Sequence, residues 1–238
     1  MISLSDLKVA IYADGASKDS MLALYQKPYI KGFTTNPTLM RKAGVKDYCA
    51  FAHEILAAIS DRPVSFEAFA DEFDEMERQA RLISSWGEQV FVKIPITNTR
   101  CQPALDLIQR LAASGIRLNI TAMTTLAQVR QVCPRLAGGP ETYISIFAGR
   151  IADTGRDPLP VMAGALEVLA PYPNLKLLWA SPREVLNIFQ ADAIGCHIIT
   201  VTEDILQKLP LVGKDLDEFS LETVQMFHRD AQQAGYQF

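Results

Sequence analysis

A lysine set in an otherwise apolar run is the first feature of this sequence that points to chemistry. In Val90–Phe91–Val92–Lys93–Ile94–Pro95, extended backbone would send alternate residues to opposite faces. Val90, Val92 and Ile94 then share one face, and Phe91, Lys93 and Pro95 the other. Burying an ammonium is costly. Either burial disfavours the charged form and leaves a nucleophilic amine able to condense with a carbonyl, or the lysine snorkels outward or joins an inert ion-pair network. This strand alone leaves both readings open.

Other short apolar runs end in the same way. Tyr12 and Asp14 share a face, as do Ser65 and Glu67 in VSFEAF, and Asn119 and Thr121 in RLNIT. Tyr143, Ser145 and Phe147 share one in YISIF, Trp179, Ser181 and Arg183 share one in LLWASPR, and Thr34 and Asn36 close a further run. Strands covered on both sides should be apolar on both faces. Polar groups recurring at the carboxyl ends of most of them mark the end at which a closed βα barrel builds its active site.

The elements that must carry these residues alternate along the chain. Strands are predicted over Val9–Asp14, Ile30–Thr35, Pro63–Glu67, Gln89–Ile94, Ile116–Thr121, Thr142–Phe147, Leu175–Ser181 and Cys196–Val201. Helical spacing occupies Asp19–Gln26, Tyr48–Ile59, Asp71–Trp86, Pro103–Ala113, Thr125–Leu136, Pro158–Ala170 and Arg183–Ala191, with a separate C-terminal amphipathic helix over Leu216–Ala234. Such alternation implies a parallel sheet with crossover helices. No GxGxxG or GxxxxGK[ST] follows any strand, which disfavours an open nucleotide-binding sheet. The expected architecture is one α/β domain over residues 1–238, a (β/α)8 TIM barrel with an additional C-terminal helix. The 238 residues suit a fold that takes about 250.

Composition narrows the partners. A net charge of −4 with no basic stripe argues against nucleic acid. Cys49, Cys101, Cys133 and Cys196 are scattered, without zinc or disulfide spacing, which fits a reducing cytoplasmic location. The segment MISLSDLKVAIYADG does not read as a signal peptide, and no apolar run nears the ~20 residues of a membrane span. His53, His197 and His228 are isolated, so no metal is expected. The acidic run Asp71–Glu77 reads as a solvated helix start, and Gly138–Gly139–Pro140 as a loop. Asp153, Gly155 and Asp157 suit either turn chemistry or a functional loop. The C-terminal helix is expected on its own barrel or on a neighbouring subunit, rather than on a membrane.

Five segments resemble the signature segments of transaldolases and their fructose-6-phosphate aldolase relatives: GFTTNPTL (Gly32–Leu39), VFVKIPIT (Phe91–Thr97), LNIT (Leu118–Thr121), ISIFAGRI (Ile144–Ile151) and ASPR (Ala180–Arg183). The resemblance implies a cofactor-free, Schiff-base enzyme of carbohydrate metabolism, placed in the pentose phosphate pathway and acting on sugar phosphates. It makes Lys93 the Schiff-base lysine and Asp14 the acid/base that takes the substrate hydroxyl proton. Glu67 and Thr121 would hold a catalytic water. Asn36, Asn119 and Ser145 would meet the dihydroxyacetone unit, Thr34 would join them in binding substrate, Phe147 would shield the enamine, and Arg150, Ser181 and Arg183 would bind phosphate. The aldolase relatives tend to carry Gln at the position of Glu67 and Tyr at that of Phe147, so the resemblance leans to transaldolase. Gly15 departs from it, since Thr or Ser usually follows the aspartate. An aldolase using free dihydroxyacetone, and a catalytically silent barrel acting as a scaffold, are the alternative readings.

Overall fold

A strand buried on both faces still needs partners along both edges, and closing the sheet on itself supplies them without leaving an edge. The computed structural model describes residues 4–237. In it, parallel strands close in sequence order into an eight-stranded barrel. They are β1 (Ala10–Asp14), β2 (Ile30–Thr34), β3 (Val64–Glu67), β4 (Val90–Pro95), β5 (Leu118–Met123), β6 (Thr142–Phe147), β7 (Leu175–Ala180) and β8 (Ile198–Thr202). Closure comes from β1 against β8, where Tyr12 lies opposite Thr200 and Asp14 opposite Thr202.

Helices α1 (Lys18–Tyr25), α2 (Pro37–Lys42), α3 (Tyr48–Ala58), α4 (Phe73–Ser84), α5 (Leu105–Ala113), α6 (Leu126–Val132), α7 (Ala148–Ala152), α8 (Leu159–Leu169), α9 (Leu186–Ala193), α10 (Glu203–Leu206) and α11 (Leu216–Ala234) complete the chain. The short α2, α7 and α10 have no counterpart in the sequence reading, because so few residues show no periodicity. Their starts are explained locally. Asn36 caps α2 by accepting from the Leu39 N–H at 2.9 Å, with Pro37 in the first turn, where no N–H is needed. The stretch read as one helix over Thr125–Leu136 begins with a Thr125/Gln128 capping box and tightens after Val132.

Two apolar layers result. Val90, Val92 and Ile94 point outward into a continuous core shared with the helices, together with Phe33, Phe66, Leu107 and Trp179. Inside the barrel a smaller cluster of Tyr12, Phe91, Tyr143, Leu178 and Ile198 plugs the amino end. There Phe91 and Tyr143 stack at 4.0 Å between centroids, and the Tyr12 and Tyr143 hydroxyls meet at 2.9 Å. This plug forms the floor on which the polar groups of the opposite end stand.

The structure corrects one expectation. Trp179 belongs to the outer core, so it does not share an inward face with Ser181; Leu178 and Ala180 hold the inward positions of β7. Of the two surfaces expected for the C-terminal helix α11, its own barrel covers little of it: no residue of the helix is buried, and Leu216, Val224 and Phe227 stand exposed. Among the described residues, no helix is long and apolar enough to cross a membrane.

The plug also explains a glycine. A Cβ at Gly32 would stand 2.5 Å from the Tyr12 ring, and that ring is held by Tyr143. Overpacking of this kind costs about 1–3 kcal/mol. Gly32→Ala is therefore expected to lower the urea midpoint without changing the slope of the transition. An unchanged midpoint would show that the ring yields freely.

Candidate active site

Register gathers the polar groups at the carboxyl mouth. Glu67 on β3 lies opposite Lys93 on β4, and Lys93 in turn lies opposite Asn119 on β5. On the other side of the barrel Asp14 lies opposite Thr34. Asp14, Thr34, Asn36, Glu67, Lys93, Asn119, Thr121, Ser145, Phe147, Arg150, Ser181 and Arg183 all line one cleft of about 610 Å³. Every site residue expected from the sequence is thus brought to a single cavity.

Lys93 is 6% exposed. Its Nζ lies 3.0 Å from Glu67 Oε2 and donates to the Thr35 carbonyl at 2.8 Å. The amine is therefore neither snorkelled nor dispersed into a surface network. The Thr34 hydroxyl donates to Asp14 Oδ1 at 2.7 Å and lies 2.5 Å from the Thr200 hydroxyl. Since Thr34 has one proton and gives it to the carboxylate, Thr200 is the donor in the second contact. Asn36 lines the same cleft, its Oδ1 engaged by the Leu39 N–H. Burial pushes the Asp14 carboxyl above the usual aspartate value; the Lys93 charge and the Thr34 hydrogen bond oppose this without cancelling it.

Two site residues are reached through irregular backbone. The β5–β6 register shifts between Ile120 and Met123, and Ala122 sits at φ 63. This bulge follows Thr121, whose buried Oγ1 has no hydrogen-bond partner among the described residues. Ser181, just past β7, sits at φ 59. That left-handed turn lets it enter the cleft although alternation would send it outward with Trp179. The turn is met closely by α7, since a Cβ at Gly149 would fall 1.6 Å from the Ser181 carbonyl oxygen. Any residue but glycine there would push the two loops apart.

The polar lining is partly committed. Ser145 Oγ donates to Asn119 Oδ1 at 2.6 Å, and Asn119 Nδ2 donates to Ser65 Oγ at 3.1 Å. Arg183 makes a bidentate pair with Asp153, Nε to Oδ1 at 2.8 Å and Nη2 to Oδ2 at 2.5 Å, while its Nη1 donates to Ser181 Oγ at 2.9 Å. Asp153 holds the Arg183 guanidinium firmly charged, and Arg183 draws the Asp153 carboxyl below its ordinary value. Arg150 is exposed at the same rim. Around Gly15 a Cβ would meet nothing within 4 Å, so the side chain of Thr or Ser is replaced by open space.

The sequence reading missed Thr200, the Thr35 carbonyl, and Lys42 and Asp204 at the cleft wall. Thr200 could have been found by alternation, since it shares an inward face with Ile198 and Thr202. A backbone carbonyl leaves no trace in side-chain pattern.

Solved structures place this backbone firmly in a class. It superposes on 3-hexulose-6-phosphate synthase from Salmonella typhimurium with a TM-score of 0.59 at 14% identity, covering 84% of this chain and 91% of that one. Dihydrodipicolinate synthase from Rhodopseudomonas palustris gives 0.55 at 14%, covering 94% and 79%. At such identities the likeness is one of fold, and the class is the (β/α)8 barrel. Within it, the Transaldolase/Fructose-6-phosphate aldolase family model matches residues 11–238, and the chain belongs to that family. It is 31% identical over 218 residues to a protein named probable transaldolase 2 from Listeria monocytogenes, covering 87% of this chain and 93% of the relative. A probable transaldolase from Dehalococcoides mccartyi is also 31% identical, over 213 residues, covering 88% and 95%. Membership makes the chain a transaldolase-type enzyme.

The burial of Asp14 has a measurable consequence. A carboxyl whose pKa is raised on folding contributes most to stability below its unfolded value, and loses that contribution as pH climbs through the folded one. Asp14→Asn is therefore expected to melt above wild type at pH 7, with the gain shrinking as pH falls toward the ordinary aspartate range. A gain independent of pH would sink the assignment.

Proposed function

We propose that the chain is a transaldolase that moves a dihydroxyacetone unit from a ketose phosphate to an aldose phosphate through a Schiff base on Lys93. The observation that carries this reading is the buried Lys93 amine, open to the cleft and in contact with Glu67, with the unpartnered Thr121 hydroxyl lining the same cavity.

The chemistry asks for these groups in turn. A neutral Lys93 amine adds to the ketose carbonyl, and the carbinolamine expels its oxygen as water once protonated. Glu67 is the nearest acid/base to that nitrogen, and a water bridging Glu67 and the free Thr121 hydroxyl would pass the proton. The resulting iminium is an electron sink. Asp14, across the mouth, takes the proton from the hydroxyl on the far carbon of the bond to be cut; that oxygen becomes the aldehyde of the departing fragment. The electrons of the broken carbon–carbon bond pass into the enamine. Addition to an acceptor aldehyde and hydrolysis of the new iminium reverse these steps and restore the free lysine.

Substrate placement follows from the donors that remain. Asn119 keeps one amide proton beyond its bond to Ser65, and Ser145 keeps acceptor capacity beyond its bond to Asn119. These suit the hydroxyls of a dihydroxyacetone unit. Thr34, committed to Asp14, serves the acid/base rather than the substrate. Phe147 offers the enamine a hydrocarbon wall. At the rim, Arg150 and Arg183 with Ser181 suit a phosphate, because planar guanidinium forks match its oxygens. A phosphate there would share Arg183 with Asp153.

Lys93→Ala is expected to abolish turnover and borohydride-dependent labelling, with the fold checked by circular dichroism. Lys93→Arg is expected to be equally inactive, because a guanidinium stays protonated and cannot form the imine. Labelling that survives either change, or maps to another lysine, would overturn the Schiff-base reading. Dependence of donor cleavage on an added aldose phosphate separates transfer from simple cleavage.

Arg183→Ala should weaken phosphorylated substrates relative to unphosphorylated ones by about 2 kcal/mol, the scale of a charge-assisted contact. Equal losses in kcat/KM for both classes would assign Arg183 to structure alone.

A further inference from the structure

The sheet is incomplete beside Glu67. On the β2–β3 edge the ladder steps by two residues, with Phe33 N–H bonded to the Pro63 carbonyl and Thr35 N–H to the Ser65 carbonyl. The next step would ask residue 37 to donate to the Glu67 carbonyl, but Pro37 has no N–H and already opens α2. The same continuation would bond Glu67 N–H to the Thr35 carbonyl, which instead accepts from Lys93 Nζ at 2.8 Å. Both backbone groups of Glu67 thus lose their strand partner at the residue that presents a carboxylate to the lysine. Buried backbone groups are rarely left without partners.

Tyr48, the first residue of α3, answers both. Its hydroxyl accepts from Glu67 N–H at 2.8 Å and donates to the Glu67 carbonyl at 2.9 Å. Burial pushes the phenol up, so it keeps its proton and acts as donor and acceptor together. The ring is fixed among aromatics, 5.4 Å from Phe69, 6.0 Å from Trp86 and 6.3 Å from Phe66 between centroids.

We propose that Tyr48 is a positioning residue for Lys93. By standing in for the missing strand it aims the Glu67 carboxylate at the amine and leaves the Thr35 carbonyl free to hold that amine from the other side. Without the hydroxyl, Glu67 N–H competes with Lys93 for the Thr35 carbonyl, and the two oxygens that orient Nζ both drift. The role lies in aligning the amine for attack, so it affects imine formation more than substrate binding. It rests on the reading of Lys93 as the nucleophile.

The test compares the full-length wild type, Tyr48→Phe and Trp86→Phe with a ketose phosphate donor such as fructose 6-phosphate. Tyr48→Phe keeps the ring in its cluster, and Trp86→Phe disturbs that cluster while keeping the hydroxyl. The readouts are the single-turnover rate of borohydride trapping at Lys93, and kcat and KM measured separately. Tyr48→Phe is expected to slow trapping and kcat about ten-fold, the scale of a sub-ångström misplacement, with KM held within about two-fold because the substrate contacts lie elsewhere. Trp86→Phe should trap at close to the wild-type rate. Wild-type trapping by Tyr48→Phe, whatever its melting temperature, or an equal loss in Trp86→Phe, would overturn the proposal. Absence of trapping in the wild type would instead strike at the Schiff-base reading, and is seen without any variant.

Discussion

An amine enclosed by a barrel must be answered by oxygen, and the arrangement of this protein follows from how Lys93 is answered. Water is nearly excluded, so an ammonium there needs fixed partners. Glu67 and the Thr35 carbonyl provide them from two adjacent strands, and Asp14 adds negative potential from across the mouth. Each partner imposes a further condition. Glu67 must sit opposite Lys93 in register; the Thr35 carbonyl must be released from its ladder; Asp14 must be steadied by Thr34, which is itself held by Thr200 on the closing strand. The apolar plug of Tyr12, Phe91 and Tyr143 fills the other end of the barrel, and the amine faces the cleft.

The rim obeys a different logic. It is exposed, and its charges are screened more strongly than those within. Arg183 is held by Asp153 and Ser181, and the loop bearing Ser181 is pressed against Gly149. A rigid guanidinium already in place costs an arriving anion little ordering, but its charge is shared. Deep groups are therefore tuned by burial and rim groups by pairing, so the two ends of the cleft offer environments of opposite character.

Much of this was legible in the residues. Lys93, Glu67 and Asn119 are polar intrusions in strands that should be apolar on both faces, and their alternation placed them correctly. The barrel itself followed from repeated strand–helix units. What escaped notice did so for identifiable reasons. Thr200 is a common strand residue, so its hydroxyl passes unremarked among Ile198, Ile199 and Val201, although alternation puts it on the inward face. Tyr48 reads as an aromatic on a helix and thus as packing. Ser181 enters the cleft through a left-handed turn, which strict alternation cannot anticipate and which misled the placing of Trp179. The helices α2, α7 and α10 are too short to show a period. In α11 the amphipathic pattern was real, but it carries no information about which surface it meets.

Closure by β1 against β8 also bears on how the molecule comes into being. The first strand pairs with the last, so a chain emerging from the ribosome amino end first holds an open sheet until residues near Thr202 are available. Asp14 is made early, yet the hydroxyl that steadies its neighbour arrives almost at the end. Until then the edges of β1 and of the newest strand are unpaired and the apolar interior is open to water, the condition in which nascent chains aggregate or engage chaperones. A chain interrupted before β8 therefore carries most of the site's residues without the closed wall that encloses them.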